Sequence, residues 1–134
     1  MMKMLPFAAT LALAATLAAT LTGCVLLPAE PPGLIDVAER PAEKALLAGM
    51  RAYDDAQYPV AEKLLNQALK ERLASSRDRA AAHKHLAFIY CTSERMPACE
   101  AEFRAARTDD PAFALSKAEA GHPQWGPVWL KVKQ

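Results

Sequence analysis

Apolar residues recur at helical spacing through most of the chain after residue 40, and no segment alternates as a half-exposed strand does. Residues 41–54 place small apolar side chains on one face. Residues 58–74 repeat apolar positions at i, i+3, i+4, i+7 and i+8. These positions are Ala45, Ala48, Gly49 and Ala52 in the first segment, then Ala61, Leu64, Leu65, Ala68 and Leu69 in the second. The pattern predicts two helices with a break between them.

Two longer helices and one short helix are predicted after this pair. Ser75 and Ser76 are N-cap candidates for a third helix over about 77–91. Pro97 opens a fourth helix that ends at Asp110-Pro111. Residues 116–119 have the spacing of a capping box and predict a short helix that Gly121 stops. The sequence therefore predicts an all-α fold of antiparallel helix hairpins.

The two hairpins are related by an offset of 38 residues. The aligned pairs are Tyr58 with Met96, Ala61 with Cys99, Leu65 with Phe103 and Ala68 with Ala106. This order of small and large residues resembles the tetratricopeptide repeat family, whose period is about 34 residues. The resemblance implies two repeat-like hairpins over residues 42–113. The extra residues fall at 71–76, so we expect a longer second helix; two ordinary hairpins without the repeat are the alternative.

The C-terminal segment 114–134 is predicted to cap the stack. Two repeats are fewer than the roughly three that usually bury a continuous core, so the last helix needs a cover. Trp125 and Trp129 are four residues apart and could cover one face together. The alternative is that these tryptophans form a partner-binding surface, because tryptophan is favoured as an interface anchor.

The N-terminus has the pattern of an export signal. Lys3 precedes an uncharged apolar run from Leu5 to about Leu21, which is too short and wrongly flanked for a retained span. The run ends in Leu21-Thr22-Gly23-Cys24, which resembles the lipobox of bacterial lipoproteins. The resemblance implies removal of residues 1–23 and acylation of Cys24. It also implies, from Val25 in the following position, the periplasmic face of the outer membrane. An ordinary signal peptide with a chance cysteine is the alternative.

Removing 23 of the 134 residues leaves 111, the size of one small domain, with 15 basic and 15 acidic residues. This balance argues against nucleic-acid binding and against a polybasic membrane patch, so membrane attachment must come from lipid. Residues 24–41 are predicted to form a lipidated tether, since Pro28, Pro31 and Pro32 favour extended backbone. We expect Leu34, Ile35 and Val37 to touch the domain.

Cys91 and Cys99 are the two cysteines left after the lipidation site. An even number in an exported chain favours a disulfide, here across the turn between the third and fourth helices. Free buried thiols are an alternative. A redox-active pair is another, although the two-residue spacing of such motifs is missing.

The polar residues predict neither catalysis nor a metal site. His83 and His85 are two apart on one helix, so they point to different faces, and His122 lies in a Gly-His-Pro turn. Asp54-Asp55 and Asp109-Asp110 are interpreted as loop residues at the ends of helices. We therefore expect no enzyme activity, no cofactor apart from the lipid on Cys24, and no small-molecule substrate.

The lipobox, the tether, the paired hairpins, Cys91 with Cys99, and the segment from Phe113 to Pro127 together resemble the TssQ-type lipoproteins of bacterial type VI secretion systems. The resemblance implies an accessory, non-catalytic interaction module whose partners are proteins of the secretion complex. A pilotin-like or assembly-chaperone lipoprotein for another envelope complex is the second hypothesis.

Overall fold

The computed structural model describes residues 31–134. The predicted signal peptide 1–23 and the first part of the predicted tether, residues 24–30 with Cys24, lie outside this range. Within it the chain forms seven α-helices and no strand, which confirms the predicted all-α class. The helices are α1 (Leu34–Ala38), α2 (Pro41–Asp54), α3 (Tyr58–Lys70), α4 (Ser76–Thr92), α5 (Met96–Asp109), α6 (Lys117–Ala120) and α7 (Gly126–Val132).

Helices α2 and α3 form one antiparallel hairpin, and α4 and α5 form the next. The two turns have the same backbone, again 38 residues apart. Ala56 and Glu94 each take a left-handed conformation, with φ of 58° and 60°. The residue after each donates its backbone N–H back into the preceding helix: Gln57 to Ala52 and Arg95 to Tyr90, both at 2.8 Å. The repeat seen in the sequence is therefore a repeat of backbone geometry.

Helix α3 ends earlier than the sequence predicts. It stops at Lys70 because Arg72 takes a left-handed conformation with φ of 64°, which turns the chain toward α4 and buries Leu73. The additional residues of the long period therefore lie in the connection to α4 and in the first turn of α4. The expected longer second helix is wrong, and of the two N-cap candidates Ser75 takes the role, accepting from the Asp78 N–H.

The first hairpin is held by small residues that face a large one. A Cβ placed on Gly49 of α2 would lie 2.9 Å from Leu65 Cγ on α3, closer than side chains approach. Ala61 and Ala68 on α3 are fully buried beside Leu65. The small residues thus allow α2 and α3 to approach each other closely.

The two hairpins contact each other where α3 packs against α4. A group of polar side chains at the turn between α4 and α5 adds a second connection. The Arg95 guanidinium donates two hydrogen bonds to the Glu62 carboxylate, at 2.9 and 2.8 Å, and stacks on Tyr90. The Asn66 amide donates to the Tyr90 hydroxyl at 3.4 Å. The hydrogen bond from Arg95 lowers the pKa of Glu62. This bidentate geometry fixes the first hairpin against the second.

The tether ends in a helix that the sequence analysis did not predict. In α1 the Gly33 N–H donates to the Asp36 carboxylate at 3.1 Å, but no residue of the helix is buried. Leu34 and Ile35 are 91% and 79% exposed. The expectation that these two side chains touch the domain is therefore wrong; of the three apolar residues expected to do so, only Val37 is half-buried.

Candidate interaction surface

The two cysteines of the second hairpin form a disulfide. Cys91 lies at the end of α4 and Cys99 in the first turn of α5, with Cα atoms 5.2 Å apart and the sulfur atoms bonded. Both side chains are fully buried. A buried disulfide next to the turn restrains the hairpin and offers no accessible sulfur for exchange chemistry.

Trp125 is buried against the second hairpin, with 8% of its surface exposed. Its ring stacks on Phe88 of α4 with centroids 4.2 Å apart, and His122 stacks on its other face at 3.4 Å. Its indole N–H donates to the backbone carbonyl of Glu119 at 2.8 Å. The polar group of this tryptophan is therefore satisfied within the chain.

Trp129 is 4% exposed and sits between two phenylalanines. Its ring centroid lies 5.5 Å from that of Phe103 on α5 and 5.5 Å from that of Phe113. Both tryptophans thus pack as the predicted cap would. Direct contact of Trp125 or Trp129 with a partner stays a prediction, and little of either ring is left exposed for it.

The turn before α7 is fixed by its own caps. Ser116 and Glu119 form the predicted capping box, and Glu119 also pairs with Lys84 of α4 at 2.8 Å. Burial tends to raise the pKa of Glu119, but hydrogen bonds from Lys84 and Ser116 outweigh it, and the net shift is downward. A Cβ on Gly126 would lie 2.5 Å from the Ala120 carbonyl oxygen, so only glycine fits there.

Docking of α7 on α5 leaves an open groove of about 650 Å³ between them. Met96 at its edge is 42% exposed. The lining is mostly apolar: Met96, Pro97 and Ala101 of α5, Pro127 and Val128 of α7, with Glu100, Arg104 and Lys131 at the polar positions. This groove was not predicted from the sequence. The spacing of Pro97 and Ala101, four apart on the outer face of α5, was the available signal.

The polar rim of the groove carries more positive than negative charge. Glu100 accepts from Arg104 at 2.7 Å and from Lys131 at 2.8 Å, so one carboxylate is shared by two cations. The hydrogen bond from Arg104, followed by that from Lys131, lowers the pKa of Glu100. One positive charge at the rim is therefore not neutralised by a groove residue.

The histidines of α4 have structural environments. His83 lies between Glu102 of α5, at 2.6 Å, and Asp109, at 3.2 Å. His85 is buried; its Nδ1 donates to the Ala81 carbonyl at 2.7 Å, and burial lowers its pKa. The two rings do face different ways. In the described part of the chain no three His, Cys, Asp or Glu side chains are arranged to hold a metal ion.

No helix in residues 31–134 combines the length and apolar character that a membrane span requires. Comparison with protein-family models, with curated proteins and with solved structures finds no significant match.

Proposed function

We propose that the chain is a lipid-anchored, non-catalytic interaction module on the periplasmic face of the outer membrane, accessory to a type VI secretion system. The lipobox-like Leu21-Thr22-Gly23-Cys24 supports the anchor and Val25 the choice of membrane. The resemblance to TssQ-type lipoproteins supports the secretion system. The observation that carries the interaction role is the open apolar groove between α5 and α7.

The chemistry of the groove indicates what it binds. Its apolar floor suits a short apolar segment of another protein, and the unneutralised charge from Arg104 and Lys131 suits an acidic residue beside that segment. The disulfide and the tryptophan cap hold α5 and α7 in place before binding, which lowers the ordering cost of association. Anchoring at Cys24 then confines the search to a thin layer, so modest affinity suffices.

Site-specific photo-crosslinking in the native envelope tests the proposal. A photoreactive residue replaces Ala101 in the groove or, as the matched control, Val60, an exposed apolar residue of α3. We expect the Ala101 position to capture an identified component of the secretion complex and the Val60 position not to. An added Ala101→Glu variant should lose secretion function while keeping its unfolding midpoint.

Three other outcomes would reject the proposal or part of it. Capture of an identified component of a different envelope complex, which Cys24→Ser then mislocalises, would favour the pilotin-like alternative. Equal capture from Ala101 and Val60 would remove the groove from the interface. Mass spectrometry showing an unacylated mature N-terminus would remove the anchor.

A further inference from the structure

Helix α1 exposes the two most accessible large apolar side chains of the described chain. Leu34 and Ile35 are adjacent, at 91% and 79% exposed, whereas Met96 and the other exposed large apolar residues in residues 31–134 are all below 50%. The helix forms because the Gly33 N–H and the Asp36 carboxylate cap its start. Leu34 and Ile35 therefore lie on an ordered helix and are exposed to solvent.

The helix is fixed beside the start of α2. The Arg40 backbone N–H donates to the Val37 carbonyl at 3.2 Å, and the Lys44 ammonium pairs with Glu39 at 3.5 Å. In the described part of the chain α2 is the one helix against which α1 packs. The domain itself therefore does not cover Leu34.

The length of chain before α1 limits where it lies. Leu34 is ten residues after Cys24, and ten residues span at most about 35 Å when fully extended. That reach is close to the thickness of one bilayer core, about 30 Å. If Cys24 is acylated, Leu34 lies no farther than about 35 Å from its lipid-attached end, so the membrane is an apolar phase always within reach of α1.

From this placement we propose that Leu34 and Ile35 insert into the interface of the membrane that holds the Cys24 acyl chains. Helix α1 then lies on the lipid and sets the height and orientation of the hairpin stack. The inference rests on the lipid anchor of the proposed function. Both cations near α1 are paired, Lys44 with Glu39 and Arg40 with Glu43, and the Asp36 carboxylate accepts from the Gly33 N–H, so within residues 31–134 no cation beside the apolar pair is left to attract a lipid phosphate. The contact therefore needs no anionic lipid.

Depth-dependent fluorescence of the acylated full-length mature protein in vesicles tests this inference. The vesicles are phosphatidylethanolamine with phosphatidylglycerol, or phosphatidylcholine alone, each containing lipids that carry a quencher at the top of the acyl chain. Pro32→Cys, exposed and next to α1, carries an environment-sensitive dye; Lys63→Cys, exposed on α3, carries it in the control. We expect quenching of the dye at position 32 and not at position 63, in both kinds of vesicle.

Removal of the apolar pair provides the second arm. Leu34→Ser/Ile35→Ser should lower the ratio of docked to undocked protein by at least about tenfold, because burying one large aliphatic side chain is worth roughly that factor. Leu47→Ser/Leu130→Ser, which changes two exposed leucines elsewhere, should leave quenching unchanged. Since α1 buries nothing, Leu34→Ser/Ile35→Ser should keep the unfolding midpoint of the parent. The control double variant is compared under conditions in which it is still folded.

The outcomes separate this inference from the proposed anchor. Acylated protein whose position-32 dye is not quenched would overturn docking while leaving the anchor in place. Dye that is shielded without vesicles, in proportion to protein concentration, would assign the pair to a second copy and overturn docking too. Absence of acylation on Cys24 by mass spectrometry would instead count against the anchor.

Discussion

Replacing Gly49 by alanine should destabilise the first hairpin, although alanine is the better helix former. The added Cβ would lie 2.9 Å from Leu65 Cγ, 3.0 Å from Leu65 Cδ2 and 3.2 Å from the Leu65 backbone nitrogen. Leu65 is fully buried, so its side chain has no free space to move into. Because one contact is to backbone, relief requires α3 to move away from α2.

The magnitude follows from two opposing effects. Alanine in place of glycine inside a helix stabilises by about 0.5–1 kcal/mol. Overpacking a closed core costs about 1–3 kcal/mol. We therefore expect Gly49→Ala to lower the free energy of unfolding by about 1 kcal/mol, which for a domain of this size lowers Tm by about 4–8 °C.

Urea unfolding followed by far-ultraviolet circular dichroism, with the disulfide intact, measures this change. Ala48→Gly, on the neighbouring half-buried position of α2, is the control and should lose about 0.5–1 kcal/mol from helix propensity alone. Leu65→Ala should cost about 2–5 kcal/mol in the parent. It should cost less in the Gly49→Ala background, because the added methyl group occupies space that the leucine leaves.

Two results would refute the reasoning about this contact. Gly49→Ala that is as stable as the parent, or more stable, would mean that close helix approach does not require the glycine. Additive effects of Gly49→Ala and Leu65→Ala, within about 0.3–0.5 kcal/mol, would mean that the two positions do not interact.

Three further predictions concern the disulfide, the tryptophan cap and the buried His85. Cys91→Ser/Cys99→Ser should lower the free energy of unfolding by about 2.5 kcal/mol through chain entropy; an unchanged urea midpoint would contradict this. Trp129→Ala should cost about 3–5 kcal/mol and Trp129→Phe much less; urea unfolding showing a small loss for Trp129→Ala would argue against the cap. Burial lowers the pKa of His85, so the unfolded chain binds its proton more readily than the folded one. The His85 contribution to stability should be complete above pH of about 6.5 and decline as the pH falls below it. In His85→Gln the free energy of unfolding should no longer show this pH-dependent contribution. A pH profile identical to that of the parent would contradict the prediction.

Helix period and local capping were readable from the sequence because they depend on neighbouring residues. The α2 and α5 boundaries, the Ser75 cap and the Ser116 capping box were predicted within one residue. Helix α7 was not predicted. Gly126-Pro127 is typical of a turn in sequence, but in the structure the two residues form the first turn of this helix.

The end of α3 was mispredicted for a different reason. Residues 67–74 contain helix-forming side chains, and the local sequence gives no stop. The chain turns at Arg72 so that Leu73 is buried and Ala74 lies beside Glu43 of α2, with the N–H 3.5 Å from that carboxylate. That contact spans 31 residues, so a local reading of residues 67–74 could not anticipate it.

By itself the sequence determined the helical class, the 38-residue relation between hairpins and the candidate cysteine pair. The export signal and lipobox stay predictions, because they lie outside the described residues. Only the tertiary structure decided that Trp125 and Trp129 face inward, that a groove remains between α5 and α7, and that Leu34 is uncovered. The physical reason is that local spacing sets which side of a helix is apolar. Which other helix covers that side depends on the combined packing of residues far apart in the chain.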